Sequence, residues 1–266
     1  MYPANFLQIL AEKIRKEECV FVGIGGPQGS GKSTLAYALA ESLSSRGIDA
    51  IVLSLDDFYH THACRETLSK TVHPLLATRG VPGTHDMNAL SATIEALVYG
   101  PPGRTIHWPK FMKRIDDRAI ETNMHTLRGE PASRTILLEG WCVGCVPFIS
   151  TEHALNELES VEDKSGEWRQ YVNAQIISAY FPLWRKFDLY MYIEIPDWSF
   201  VSKWRGQQAK ENGERFSITE LEKFTEYFER ISKDMLNEGG RIRTDVLVKL
   251  APDHSVDQVL YIGVGD

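Results

Sequence analysis

The sequence predicts an α/β fold, a parallel sheet with helices on both faces. Three observations predict it. Short apolar runs without alternation recur at residues 19–24, 50–55, 135–139, 189–195 and 244–250, as expected of strands buried on both sides. Segments of helical period fall between them. A glycine-rich turn, Gly26-Pro-Gln-Gly-Ser-Gly-Lys32-Ser33, joins the first of these strands to the helix that follows it. Strands alternating with helices suit a parallel sheet, because each parallel crossover needs a covering element.

The elements follow in order. Residues 4–16 read as a short amphipathic helix before the first strand. In the helix over 34–46, Leu35, Leu39 and Leu43 recur every four residues beside Ala36 and Ala40, and Gly47 stands just past its end. Residues 87–99 read as a helix with Asp86 as cap, stopped by Gly100-Pro-Pro-Gly103. The rest of 56–133 is irregular and rich in His, Pro, Arg and Gly, and residues 58–133 are predicted to be a substrate-binding insertion. Residues 152–166 are polar and read as a surface excursion, and 168–184 as a helix. A further helix is expected over 197–210, weakened at Gly206, with 197–215 as a lid. Ser217-Ile-Thr-Glu220 has capping-box spacing. It opens a helix whose apolar positions are Ile218, Leu221, Phe224, Phe228, Ile231 and Met235. No repeat, low-complexity tract or dividing linker interrupts residues 1–266, which read as a single domain with an embellishment.

Composition narrows the function. The chain has 266 residues, 43% hydrophobic and 24% charged, proportions that suit a globular core. A net charge of −7 argues against wholesale binding to nucleic acid or acidic membranes and leaves room for a local cationic patch. The first fifteen residues are amphipathic and carry acid, without the basic start and apolar centre of a signal peptide. No apolar run approaches a membrane span. Cys19, Cys64, Cys142 and Cys145 read as reduced intracellular thiols. The expectation is a cytoplasmic protein with neither nucleic-acid nor membrane partner.

The chemistry starts at the glycine-rich turn, which has phosphate-loop spacing, G-x-x-x-x-G-K-[ST], between strand and helix. Glycines let main-chain N–H groups wrap a polyphosphate, and the helix start adds partial positive charge. Lys32 can reach the β- and γ-phosphates, and Ser33 can ligate Mg²⁺. Ligands of open α/β sheets sit beyond the carboxyl ends of the strands. The second strand ends in Asp56-Asp57-Phe58-Tyr59. Asp56 is placed to take a proton from an attacking hydroxyl, or else caps a turn. The third strand ends in Glu139-Gly140-Trp141, where Glu139 can hold Mg²⁺ through water or orient the substrate hydroxyl. Lys203-Trp204-Arg205 is either a cationic lid over the phosphates or a solvated helix face. Arg79, Lys110, Lys113, Arg114 and Arg118 suggest an anionic acceptor, against the alternative of balanced surface charge. The Cys142-Val-Gly-Cys145 pair lacks a second pair to complete a zinc site and reads as packing beneath the phosphate loop. The histidines at 60, 62, 73, 85 and 107 match no metal-site spacing.

Five segments together carry a family resemblance. They are Gly-Gly-Pro-Gln-Gly-Ser-Gly-Lys-Ser at 25–33, Leu-Asp-Asp-Phe-Tyr at 55–59, Arg-Gly-Val-Pro-Gly-Thr-His-Asp at 79–86, Leu-Glu-Gly-Trp at 138–141 and Lys-Trp-Arg at 203–205. In this order they resemble the small-molecule P-loop kinases of the phosphoribulokinase, uridine kinase and pantothenate kinase group, most of all the D-glycerate 3-kinase branch. The resemblance implies a three-layer P-loop NTPase fold using ATP and Mg²⁺. It implies nucleotide contacts from Gly26, Gln28, Gly29, Ser30, Gly31, Lys32, Ser33 and Thr34, and Mg²⁺ at Ser33 and Glu139. It further implies Asp56 as base, Glu139 as second acid, Arg205 as lid cation, and acceptor contacts from Asp57, Tyr59, His85, Asp86, Lys110 and Arg118. One departure is Met112, which stands where glycerate kinases carry aspartate, before a shortened glycine segment. The reading is a kinase acting on a hydroxyl of a small anionic metabolite, D-glycerate first. A nucleoside, pantothenate or a sugar phosphate is an alternative acceptor, and a regulatory or assembly ATPase with a protein partner is the alternative of another class.

Overall fold

The computed structural model describes residues 2–211 and 218–262. The helix α1 (Ala4–Lys16) leads into β1 (Phe21–Gly25), then α2 (Lys32–Ser44) and β2 (Asp49–Ser54). Next come α3 (His62–Thr71), α4 (Met87–Tyr99) and four short strands, β3 (Thr105–Trp108), β4 (Phe111–Met112), β5 (Asp117–Arg118) and β6 (Asn123–Thr126). After β7 (Arg134–Gly140) follow α5 (Glu157–Glu162), α6 (Glu167–Gln175), α7 (Phe181–Trp184) and β8 (Leu189–Glu194). The helices α8 (Ser199–Glu211) and α9 (Ile218–Leu236) and the strands β9 (Val246–Leu250) and β10 (Val256–Tyr261) complete the described chain.

The main sheet has the order β10-β9-β8-β1-β7-β2. Every pairing in it is parallel except the one between β9 and β10 at the edge. Alternate side chains of the strands point to opposite faces. Val22, Ile24, Leu137, Met191 and Val248 meet α1 and α2 on one face, where Trp204 of α8 is also buried. Phe21, Ile136, Leu138, Tyr190 and Leu247 meet α4, the helix through 167–184 and α9 on the other. The helix through 167–184 is continuous because a π-helical turn at Ile176–Tyr180 links α6 to α7.

Two stretches depart from the sequence reading. The polar stretch 152–166 is not simply a surface excursion: it contains α5, and Glu159 and Asp163 are buried. Their charges are matched, with Arg230 Nε donating to Glu159 Oε1 at 2.7 Å and Arg169 Nη1 to Asp163 Oδ2 at 2.8 Å. Buried acids tolerate desolvation when paired in this way. The region 58–133 is more regular than its composition suggests, with α3 and two small hairpins, β3–β6 and β4–β5. Cys142 and Cys145 are buried in the core on the face opposite α2, with Cys142 near enough to Lys32 to act on its charge. The helix α8 runs through Gly206 without interruption, while Ser217 of the capping-box segment lies outside the described residues. Among the described residues no helix is long and apolar enough to cross a membrane.

Candidate active site

The phosphate loop is built mainly from backbone. Gly29 and Gly31 adopt φ of 76° and 83°, a region side chains other than glycine seldom enter. Gly31 is the N-cap of α2, and the Ser30 N–H closes the turn onto the Pro27 carbonyl at 3.3 Å. Lys32 opens α2, is buried, and donates from Nζ to the Pro27 carbonyl at 2.8 Å. Burial pushes its ammonium pKa down, against the pull of Glu139 and Asp56. Ser33 Oγ lies 3.0 Å from Glu139 Oε1, so the loop and β7 meet. Ser30 Oγ is buried with no protein partner.

Opposite the loop, β2 ends in a 3₁₀ turn, Leu55–Phe58, that carries Asp56 and Asp57. Asp56 Oδ2 pairs with Lys113 Nζ at 2.6 Å. Burial alone would raise the Asp56 carboxyl, but the Lys113 ammonium, with smaller help from His85 and Lys32, holds it well below the usual carboxylate range. Asp57 behaves the other way. Burial, with Asp56 and Glu139 nearby, pushes it up to about 6, although it accepts the Phe111 N–H at 3.2 Å. Two adjacent acids therefore sit in opposite electrostatic settings, one matched by a cation and one buried without a matching cation and with carboxylates beside it.

These groups line one cavity of about 240 Å³. Gln28, Gly29, Lys32 and Ser33 form its phosphate-loop side, and Asp56, Asp57 and Glu139 supply the acids. Tyr59, Arg79, Phe111 and Lys113 form the far side, next to Trp141, Phe224 and Phe228. Trp141 and Phe228 meet edge to face with centroids 4.9 Å apart.

Other predicted residues fall elsewhere. Gly26 is buried against the Ile193 carbonyl, and Thr34 is exposed on the first turn of α2. His85 stands behind the cavity, stacked on Tyr59 at 4.3 Å and sharing a hydrogen bond between Nδ1 and the Tyr180 hydroxyl at 2.8 Å. Burial pushes its imidazole down to about 3. Asp86 caps α4 by accepting the Ala89 N–H at 2.9 Å. Arg118 ties that cap to the Tyr59 carbonyl, with bonds of 3.2 Å to Asp86 Oδ2 and 2.9 Å to the carbonyl. Arg118 and Asp86 thus brace the cavity wall without lining it. Lys110 is exposed and does not line the cavity either; Lys113 and Arg79 are the cations that do. Of the expected lid, 199–211 form α8, while residues 212–217 and the side chain of Arg205 lie outside the described residues.

Sequence reasoning missed the support beneath Lys113. Arg65 is fully buried, and its guanidinium reaches the Ala77 carbonyl at 2.6 Å, the Asp116 carbonyl at 2.6 Å and Asp116 Oδ2 at 2.8 Å. Arg79 pairs with the other oxygen of Asp116. No periodic signal marks such contacts, because their partners are far apart in the chain.

A parallel sheet, a glycine-rich loop opening α2 and acids at the neighbouring strand ends define a nucleotide-binding P-loop kinase. Comparison with known proteins agrees. The chain is 34% identical over 218 residues to a Schizosaccharomyces pombe protein named uncharacterized kinase mug58, covering 77% of this chain and 75% of that protein. It is 31% identical over 194 residues to the chloroplastic D-glycerate 3-kinase of Arabidopsis thaliana, covering 70% of this chain but 40% of that longer protein. Its fold matches a solved D-glycerate 3-kinase from Cryptococcus neoformans with a TM-score of 0.75 at 22% identity, covering 98% of this chain and all of that one. No protein-family model matches the chain. The chain belongs to the family of P-loop kinases that includes the Schizosaccharomyces pombe relative.

Proposed function

We propose that this kinase transfers the γ-phosphoryl group of ATP, with Mg²⁺, to a hydroxyl of a small anionic metabolite, and that D-glycerate is the acceptor. The observation that carries the reading is one cavity holding a phosphate loop, the Asp56 carboxylate and the cations Lys113 and Arg79. The acceptor is supported by the D-glycerate 3-kinase names of a relative and of a structural neighbour.

The residues present suit both nucleotide and metal. Ser30 Oγ is a buried donor without a protein partner, as a phosphate oxygen would engage. Ser33 and Glu139 are oxygen donors at the cavity, with Ser33 Oγ 3.0 Å from Glu139 Oε1. Among the described residues no group of three or more His, Cys, Asp or Glu forms a ready metal cage. Mg²⁺ commonly needs only one or two protein oxygens besides phosphate and water. When bound, Mg²⁺ offsets the charge on the β- and γ-phosphate oxygens.

In this reading Lys32 and the amides at the start of α2 hold the phosphates, and Lys113 and Arg79 hold the anionic group of the acceptor. The acceptor oxygen bonds to the γ-phosphorus as the bond to the β-phosphate oxygen breaks, ADP leaves, and Asp56 takes the hydroxyl proton. The test is an acceptor screen that follows ADP formation with D-glycerate, glycerol, pantothenate, nucleosides and sugar phosphates. Turnover highest with D-glycerate is expected. Turnover with another compound and none with D-glycerate removes the acceptor assignment. ADP formation that no small acceptor stimulates removes the kinase chemistry assigned to this cavity.

A further inference from the structure

Lys113 sits on the turn between β4 and β5, and that turn is anchored from beneath. Asp116, at φ 53°, is held by the fully buried Arg65 through its carbonyl and one carboxylate oxygen, and by Arg79 through the other. The anchor fixes the backbone of the turn and leaves the Lys113 side chain 49% exposed at the cavity. Its ammonium lies 2.6 Å from Asp56 Oδ2. With the Lys113 side chain 49% and the Asp56 side chain 29% exposed, the pair stays within reach of an entering anion, whereas a fully buried pair is costly to break.

We propose that Lys113 restrains the base of this kinase: its ammonium occupies the Asp56 carboxylate until an acceptor's own carboxylate or phosphate takes that ammonium over. The proposal rests on Asp56 being the base. A carboxylate engaged by an ammonium is a poor proton acceptor, so neither water nor a neutral alcohol is activated while the pair holds. An acceptor that carries an anionic group close to its hydroxyl exchanges one partner of Lys113 for another. That exchange frees the Asp56 oxygen beside the hydroxyl to be phosphorylated. Arg79 stays in place, since it is committed to Asp116. The same ion pair then selects for anionic acceptors and guards ATP against hydrolysis, a task otherwise left to exclusion of water. The acceptor class follows: a hydroxy acid or a phosphorylated alcohol, not a neutral polyol.

The experiment measures ADP release from Mg·ATP with no acceptor present, for the wild type, Lys113→Met, Lys113→Gln, Asp56→Asn and the double variant Asp56→Asn/Lys113→Met. Circular dichroism checks folding. Water then replaces the acceptor: its oxygen bonds to the γ-phosphorus, ADP leaves, and the proton passes to Asp56. The expected result is hydrolysis about tenfold faster in Lys113→Met and Lys113→Gln, a fraction of what a general base contributes. The gain should vanish in the double variant, and Lys113→Met should show a raised KM for D-glycerate. Hydrolysis no faster than wild type in whichever of the two Lys113 variants folds overturns the proposal and leaves the base assignment standing. A gain that survives in the double variant overturns it as well, by showing that the freed group is not Asp56. Loss of the base assignment itself is read separately, from unchanged D-glycerate turnover in Asp56→Asn alone.

Discussion

The two sides of the cavity are built by opposite means. The phosphate side is a contiguous run of eight residues whose shape lies in the backbone, with three glycines at positive φ and the first turn of α2. The opposite side gathers Asp56, Arg65, Arg79, Lys113 and Asp116 from separate segments and is held by charged side chains. A triphosphate tail is the same for every member of such a family, and main-chain amides suit a constant partner. Acceptors differ, and side chains are the parts that can be exchanged without disturbing the loop.

Four substitutions test this contrast, the strongest first. Lys32→Met removes the side-chain cation from the phosphate side, and turnover should fall by roughly 10²–10³-fold, the scale of losing one charge-stabilising donor. A steady-state assay at saturating ATP checks it, and a milder loss would shift weight from the lysine to the amides. Arg65→Met removes the buried anchor of the other side and leaves the Ala77 and Asp116 carbonyls without its bonds. Denaturant unfolding should show a loss of about 3 kcal/mol. The KM for acceptor should rise while nucleotide affinity is kept. An equal loss of nucleotide affinity would mean that the two sides are not separable.

The third test uses pH. His85 is kept neutral by burial, with its pKa pushed down to about 3 from an ordinary value near 6.5. Above pH 6.5 folded and unfolded chains are both neutral there, so its contribution to stability is complete. Between pH 6.5 and 3 the unfolded chain binds a proton that the folded chain refuses, so stability falls as pH falls. Linkage sets the slope at about 1.4 kcal/mol per pH unit in that window. Unfolding free energies at pH 7 and pH 5 should differ by about 2 kcal/mol less in His85→Asn than in the wild type. Equal differences would assign the acid sensitivity to other groups. Tyr2→Phe should have the smallest effect. The Tyr2 hydroxyl donates to the Ser30 and Gly31 carbonyls at 3.4 and 3.3 Å, both long bonds on the outside of the loop. A stability loss under about 1 kcal/mol by thermal unfolding is expected. A large drop in nucleotide affinity would instead make α1 part of the loop's support.

The same contrast explains what could be read from the chain. The parallel part of the sheet was legible because each of its strands carries a run of apolar residues, and α4 because Asp86 caps it and Gly100 ends it. The loop was legible because its spacing is local, and Asp56 and Glu139 because each stands at the end of an apolar run. The structure brings both acids to the cavity that contains Lys32 and Ser33. The pairing of Lys113 with Asp56 spans 57 positions and leaves no mark on hydrophobic period. Lys110 and Lys113 look alike in sequence, and only the turn between β4 and β5 sends one to solvent and the other to the cavity. The strand β10 was missed because the exposed Asp257 and Gln258 interrupt its apolar residues and none of it is fully buried. Helix α5 was hidden because burial of Glu159 depends on Arg230, 71 residues away.

The central claim is that Asp56 acts as a base across the cavity from a nucleotide held by the phosphate loop. Its most direct test compares wild type with Asp56→Asn for Mg·ATP affinity by calorimetry and for ADP formation with D-glycerate present. The account predicts affinity within about twofold and turnover lower by roughly a hundredfold or more, the scale of a lost general base. Turnover equal to wild type, with affinity equally unchanged, would contradict it.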